Sequence, residues 1–228
     1  MSETIRWGLA GIGKIGAALL AGWDRQGLTT EIYHPDEHRR RAAASSAAGA
    51  REAAKEELPH LDYLVLALPA DSIAPFIEDL EQSGLNMRRT TLVNMATTKG
   101  TASLRKQFPE HRFAGMKAAV HAETLRRGEA VLFVSPEAAS DQTLKLRFEA
   151  LGDVINGEEK TVETLNRTAT EAAVKAAAAL EEQLRQEGWQ ELYIRQALAS
   201  LMPEVIHAYA DGRLGAFGRK LADELRRD

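Results

Sequence analysis

The chain has 228 residues, a net charge of −4 and no cysteine. Disulfides, thiolate nucleophiles and cysteine-ligated zinc or iron–sulfur sites are therefore excluded, and the acidic balance supplies no basic field for nucleic acid. Hydrophobic residues at 44% and charged ones at 27% fit a globular protein with a real core, and no apolar run approaches the ~18 residues that span a bilayer.

Neither nucleic acid nor membrane is thus expected as a partner. Met1-Ser2-Glu3-Thr4 lacks the basic start and apolar core of a signal peptide, which makes the cytoplasm the expected location.

Arg6 to Ala10 reads as a short buried strand. From Lys14 to Gln26 apolar residues recur at helical spacing (Ile15, Leu19, Leu20, Trp23), and Gly27 follows as a C-cap. Thr30 to Tyr33 is a β-branched and aromatic strand stopped by Pro35, and Asp36 to Ala48 a polar, alanine-rich helix. Val65 to Leu68 is a buried strand ending at Pro69, with a helix from Ile73 to Glu81. Thr91 to Met95 is the next strand, followed by a polar turn, Ala96 to Gly100, and a helix from Thr101 to Gln107. Arg112 to Ala119 and Ala130 to Val134 read as further strands, with a turn of helix at Ala122 to Arg127 between them.

Strands alternating with helices at this spacing predict parallel pairing through crossover helices, a doubly wound α/β sheet of Rossmann type over residues 1–157. From Glu158 the strand signals stop. Val162 to Glu187, Gln190 to Tyr209 and Leu214 to Arg227 read as three helices, a short all-helical domain over 158–228. A tail of roughly 70 residues is marginal as an independent fold, so it is expected to pack on the first domain, on a second copy, or on both; a homodimer through this region is the preferred reading.

The stretch Gly11-Ile12-Gly13-Lys14-Ile15-Gly16 has the G-x-G-x-x-G spacing between the first strand and the first helix. Gly11 would allow the turn, Gly13 would let the backbone approach a pyrophosphate, and Gly16 would let helix and strand pack closely. The competing reading is a sharp strand-to-helix turn with nothing bound. Ligands of such sheets collect at the carboxyl ends of the strands, which adds Leu68, Pro69, Asn94 and Ala96 to the expected cofactor site, with Lys99 nearby.

At the end of the second strand, where an acid would hold the adenosine ribose of NAD, stands His34. Arg39, Arg40 and Arg41 follow and would suit the 2′-phosphate of NADP. NADP is favoured and NAD remains open; equally, the arginines read as a solvated helix face and Asp36 as a helix cap.

Gly-rich turn, Leu66-Ala67-Leu68-Pro69, Val93-Asn94-Met95-Ala96, Gly128-Glu129-Ala130-Val131-Leu132-Phe133 and Phe148-Glu149-Ala150-Leu151-Gly152-Asp153-Val154 with Glu158-Glu159-Lys160 follow in an order that resembles the pyrroline-5-carboxylate reductases and their 6-phosphogluconate-dehydrogenase-like relatives. The resemblance covers about residues 1–180. It implies a Rossmann domain, reduction of a cyclic imine by NAD(P)H, and an oligomer built through the helical domain; it also makes the glycine-led stretch at 128 the start of the last sheet strand. Two of that family's motifs depart. Its Met-Pro-Asn-Thr-Pro stretch faces Ala119-Val120-His121-Ala122-Glu123, and its Ser-Gly-Ser-Gly-Pro-Ala-Tyr segment faces Thr168 to Val174, where Thr168 and Thr170 keep hydroxyls and Glu171 brings a charge that would repel a carboxylate. The implied cofactor half is kept and the substrate half rewritten.

Thr97-Thr98-Lys99-Gly100 also resembles the S-x-K-G of prephenate and arogenate dehydrogenases, although Lys117 stands where those enzymes carry their catalytic histidine. The expected catalytic set is His121, as a proton donor, imidazole being the side chain suited to that role near neutral pH, Lys117, to bind a substrate carboxylate, and Thr168 and Thr170, to shape the site. Glu171 and Lys175 read as a helix-stabilising i, i+4 pair. No metal-binding spacing and no G-x-S-x-G elbow occurs. The sequence therefore predicts an NADP-preferring reductase of a small imine or carbonyl compound, with a nucleotide-binding regulatory protein that has lost catalysis as the alternative from another class.

Overall fold

The computed structural model describes residues 5–129 and 131–227. Met1–Thr4, on which the N-terminal reading rests, and Ala130, the expected start of a strand, lie outside the described residues.

Six strands form one parallel sheet: β1 (Trp7–Ala10), β2 (Thr30–Tyr33), β3 (Ala50–Glu52), β4 (Tyr63–Leu66), β5 (Thr91–Asn94) and β6 (Arg112–Gly115). Their order is β3-β2-β1-β4-β5-β6, with Leu9 registered between Ile32 and Val65. The crossovers are α1 (Lys14–Arg25), α2 (Glu37–Ser45), α3 (Ala70–Gln82) and α4 (Thr101–Gln107). This is the doubly wound α/β fold expected from the alternation of elements.

Alternate residues of each strand serve opposite faces, which is why the strands read as unbroken apolar runs. Leu9, Ile32, Val65 and Val93 pack in one core with Leu19 and Trp23 of α1. Leu64, Leu66 and Leu92 pack in the other with Ile73, Ile77 and Leu80 of α3. Each such side chain buried contributes about 1.5–3 kcal/mol. The strand order reverses between β1 and β4, which opens a crevice at their carboxyl ends.

The expected strand from Arg112 to Ala119 is two strands in two sheets. The N–H of Met116 still bonds Asn94 O (3.0 Å). Beyond it β7 (Lys117–Ala119) leaves for a three-stranded sheet, antiparallel to β8 (Leu132–Ser135), which runs parallel to β9 (Asp153–Asn156). The last sheet strand is thus β9 and not the glycine-led one at 128. The antiparallel pair corrects the expectation of parallel pairing throughout; α5 (Ala122–Arg127) joins β7 to β8.

β3 and β9 escape a pattern reading because they bury little: Arg51 and Glu52 are exposed, and in β9 only Val154 is buried. A 3₁₀ segment, Lys55–His60, and α6 (Gln142–Glu149) complete the region. Arg147 of α6 is buried with its guanidinium 4.4 Å from the Trp23 ring and 5.2 Å from the Trp7 ring, donating to Thr29 O and Thr30 Oγ1. Burial alone lowers its pKa to about 10.

α7 (Glu159–Gln186), α8 (Glu191–Gln196), α9 (Met202–Ala210) and α10 (Ala216–Leu225) follow. The helix expected from Gln190 to Tyr209 is broken by a π turn, Ala197–Leu201. Pro203 supplies the reason: lacking an N–H and crowding the carbonyl one turn before it, it is accommodated by a wider turn.

The chain divides into two compact units between Asn166 and Arg167, so the first two turns of α7, with buried Val162, belong to the first unit, whereas the composition shift was read at 157/158. In the second unit Ile194 is the buried apolar residue among the described ones, while Leu192 (74%) and Phe217 (84%) are largely exposed, with Val174, Leu201 and Leu225. Among the described residues no helix is long and apolar enough to cross a membrane.

Candidate nucleotide-binding and active site

The glycine loop shows three distinct demands. Gly11 has φ +98°, and a Cβ there would lie 2.4 Å from Ala67 O. A Cβ on Gly16 would lie 2.0 Å from Gly11 O, so this residue lets α1 pack against the end of β1. Gly13, the N-cap of α1, has nothing within 4 Å of a Cβ position and opens to solvent. The first bond of α1 runs from Ala17 N–H to Gly13 O (2.9 Å). The amides of Lys14, Ile15 and Gly16 therefore have no partner within the helix and carry its positive end. No acid stands in the first turn, and exposed Lys14 adds a cation where the helix dipole disfavours one. An anion relieves both.

Two cavities meet at this loop and share Gly13, Ala67, Leu68 and Pro69. One, ≈ 530 Å³, runs along Gly11 and Ile12 to Tyr33, His34 and Pro35, with Ser72 and Phe76 of α3 opposite. The other, ≈ 570 Å³, runs from Lys14 and Ile15 past Met95, Ala96, Thr97 and Thr98 to Ala118, His121 and Asn166. Among the expected cofactor residues, the structure brings Gly11, Ile12, Gly13, Lys14, Ile15, His34, Leu68, Pro69 and Ala96 to these walls; Gly16 serves the packing behind them.

His34 is fixed by Asp36, whose N–H donates to its Nδ1 (3.0 Å). Asp36 is the cap of α2, accepting from Arg39 N–H (3.1 Å), and that bond holds its carboxyl below the usual value. Arg40 is engaged, with Nε 3.2 Å from Glu52 and Nη1 3.3 Å from His34 O, and Arg41 pairs with Glu37 (2.7 Å). Arg39 is exposed, has no carboxylate partner among the described residues, and lines a groove between α1 and α2 with Ile12. The arginines are therefore not one cluster, and neither Arg39 nor Arg40 lines the cavity beside His34.

Asn94 and Lys117 do not face the cavities. Asn94 is fully buried; its Nδ2 donates to Lys99 O (2.7 Å) and Thr101 Oγ1 (2.9 Å), and its Oδ1 accepts from Ala96 N–H (3.1 Å). Lys117 is fully enclosed, its Nζ donating to the carbonyls of Asn94 (3.2 Å), Ala96 (2.7 Å) and Lys99 (3.1 Å). An ammonium so engaged has no donor left for a substrate carboxylate, which corrects the expected role of Lys117. It also leaves the prephenate-dehydrogenase resemblance without a proton-handling side chain at that position.

His121 reaches the cavity as the N-cap of α5, its Nδ1 accepting from Glu123 N–H (3.4 Å), which leaves Nε2 as the protonated nitrogen of the neutral ring. Thr168 and Thr170 lie on α7 in the second unit, both exposed. Two positions apart on a helix they point roughly 200° away from each other, so they cannot shape one site together. Glu171 and Lys175 pair at 2.5 Å. Asn166 escaped the sequence reading; its Nδ2 donates to Ala118 O (3.1 Å), and its position one turn after buried Val162 was the available signal. No group of three or more potential ligands is placed to hold a metal among the described residues.

The family model described as "NADP oxidoreductase coenzyme F420-dependent" matches residues 6–96, from β1 to the turn after β5. A comparison with curated proteins returns no match. Among solved structures the chain is similar to an imine reductase of Streptomyces aurantiacus (18% identity, TM-score 0.65, covering 97% of this chain and 93% of that one). It is similar to an imine reductase variant of Myxococcus stipitatus in complex with NAD+ (16%, 0.63, 93% and 79%) and to a reductive aminase of Aspergillus terreus in complex with NADPH and ethyl levulinate (14%, 0.64, 92% and 78%). This is the dehydrogenase fold, a Rossmann domain followed by helices.

Replacing Gly11 by Ala is expected to destabilise the protein by at least about 1–3 kcal/mol through its backbone conformation alone. Gly13→Ala should cost less than about 1 kcal/mol as a poorer cap, and urea denaturation of the two variants checks the order.

Burial pushes the Lys117 pKa down to about 8 from 10.5, against the opposing pull of Glu159 and Glu137. Between these values the folded protein has released a proton that the unfolded chain still binds, so this group makes stability rise with pH across that window, by up to about 3 kcal/mol. Denaturation at pH 7.5 and 10 should show wild type gaining on Lys117→Met by a corresponding margin; parallel curves would refute the assignment.

Proposed function

We propose that the protein binds NADPH in preference to NADH and reduces the C=N bond of a small imine, or a related C=O bond, as a homodimer. The observation that carries the cofactor reading is the open Gly13 cradle at the positive end of α1, where cavities of ≈ 530 and ≈ 570 Å³ meet. The residues fit the cofactor: amides of Lys14 to Gly16 would hold the pyrophosphate, Tyr33 and His34 would border the adenosine half, and Ala96, Thr97 and Thr98 would border the nicotinamide half. Bound NADPH would supply the hydride.

This chain's own part is to orient the substrate. Apolar Met95, Ala118 and Val120 line the reacting centre, His121 Nε2–H would donate a hydrogen bond to the nitrogen or oxygen being reduced, with solvent the source of the proton that completes the reduction, and Asn166, whose amide nitrogen is held by Ala118 O, offers its Oδ1 as an acceptor. The imine class is supported by the imine reductases and the reductive aminase among similar structures. The uncharged character of the reaction-side lining, apart from Lys14 and His121, supports a neutral substrate body over a dicarboxylate.

His34, not an acid, follows β2 where a free ribose 2′-hydroxyl would be selected, and Arg39, exposed and with no carboxylate ion pair to its guanidinium among the described residues, would reach a 2′-phosphate by swinging from the groove between α1 and α2. Titration should therefore show NADPH binding more tightly than NADH, with Arg39→Ala removing most of a roughly tenfold preference. Absence of binding by either nucleotide at millimolar concentration refutes the reading. Binding without turnover of any imine, keto acid or cyclohexadienyl substrate in a panel supports the regulatory alternative.

A homodimer is proposed because, among its described residues, the second unit buries one large apolar side chain, Ile194, and exposes several, Leu192 and Phe217 most fully. Sedimentation equilibrium should give twice the chain mass at micromolar concentration, and Phe217→Glu with Leu192→Glu should shift it toward monomer; a monomeric wild type overturns the proposal.

A further inference from the structure

Behind the turn 95–100 stands a set of polar side chains to which hydride transfer gives no task. The turn presents Ala96, Thr97 and Thr98 to the cavity. On its other side the carbonyls of Asn94, Ala96 and Lys99 converge on Lys117 Nζ at 2.7–3.2 Å. Three carbonyl dipoles aimed at one point repel one another unless a cation occupies it. Glu159 completes the arrangement, with Oε1 3.5 Å from Lys117 Nζ and 2.5 Å from Thr101 Oγ1, and Oε2 accepting from Thr101 N–H at 2.8 Å. The last bond caps the start of α4, where a carboxylate is favoured by the helix dipole. Gly115 leaves the room: a Cβ there would lie 1.9 Å from Glu159 Oε1.

Three elements are thus tied at one point: β7 through Lys117, α7 through Glu159, and the β5–α4 turn through its own backbone. Asn166, two turns along α7 from Glu159, is the side chain this helix brings to the cavity. A buried ion pair is costly to desolvate, and apolar residues of similar volume would commonly serve stability as well; what they would not do is fix three carbonyls and an amide in one geometry.

We propose that Lys117 and Glu159 are positioning residues that set the shape of the 95–100 turn for the nicotinamide half of the dinucleotide, while the adenosine half binds independently of them. The inference rests on the NADPH reading. It distinguishes these two residues from the cavity walls, since neither touches the ligand and both act through the backbone of the turn.

The test uses the full chain with Glu159→Gln and Lys117→Met. Dissociation constants are measured for NADPH and for 2′,5′-ADP, which carries the adenosine half alone, and amide exchange of residues 96–101 is followed without nucleotide. The expected result is about a tenfold or greater loss of NADPH affinity, 2′,5′-ADP affinity within about twofold of wild type, and faster exchange across the turn. A merely structural role would weaken both ligands together. Parallel losses, or unchanged NADPH affinity and exchange in variants of a wild type that binds, overturn this inference alone; a wild type that binds neither ligand overturns the cofactor reading and this inference with it. Should neither variant fold, Thr101→Val, which removes one Glu159 bond at nearly constant volume, decides on the same ratio, with a smaller loss expected.

Discussion

The site depends on how closely α1 approaches the carboxyl ends of β1 and β4. Two missing methyl groups permit it: one on Gly16 would enter the carbonyl of Gly11, and one on Gly11 would enter that of Ala67. Because both contacts are with backbone, a neighbouring side chain cannot yield to relieve them. The third glycine obeys a different rule. Gly13 is crowded by none of the described residues, so packing within the fold does not require a small residue there.

The cavity wall on the far side is held by charge rather than by close packing. Lys117 and Glu159 are carried on separate elements and meet behind the β5–α4 turn, each bonded to backbone of that turn. Apolar packing fixes how far apart two elements lie but tolerates small rotations, whereas hydrogen bonds to named carbonyls and amides also fix direction. The two walls thus divide the work, sterics on the glycine-loop side and buried electrostatics on the side of the β5–α4 turn.

What the sequence made legible follows the same division. Strands buried on both faces, the glycine spacing and helix periodicity all leave local signatures, and β1, β2, β5, α1 and α7 lie within a few residues of where those signatures put them. The β6–β7 break left none, since a change of sheet at Met116 depends on partners far along the chain. Lys117 was a candidate ligand because it stands where a strand gives way to a loop beside the expected crevice; its enclosure by three carbonyls is a tertiary fact. Asn166 was hidden for the opposite reason, as a polar residue on a polar helix whose first turns belong to the first unit. Arg39 to Arg41 read as one basic cluster, yet consecutive helix residues fan out by about 100° each, and separate partners claim two of the three.

The strand order also governs the way the chain comes together. β1 precedes the other described strands in the chain but lies in the interior of the sheet, and Trp7 pairs with Tyr63 across three intervening connections, β1–β2, β2–β3 and β3–β4. Until β4 arrives, one edge of β1 offers unpaired N–H and C=O groups beside apolar side chains, a template for pairing with another chain. Non-local closure of this kind is slow compared with helix formation. The shared wall of the two cavities, Ala67 to Pro69, directly follows the strand that seals that edge, so the cradle is finished only when the sheet is. The walls of both cavities are therefore a property of the completed sheet.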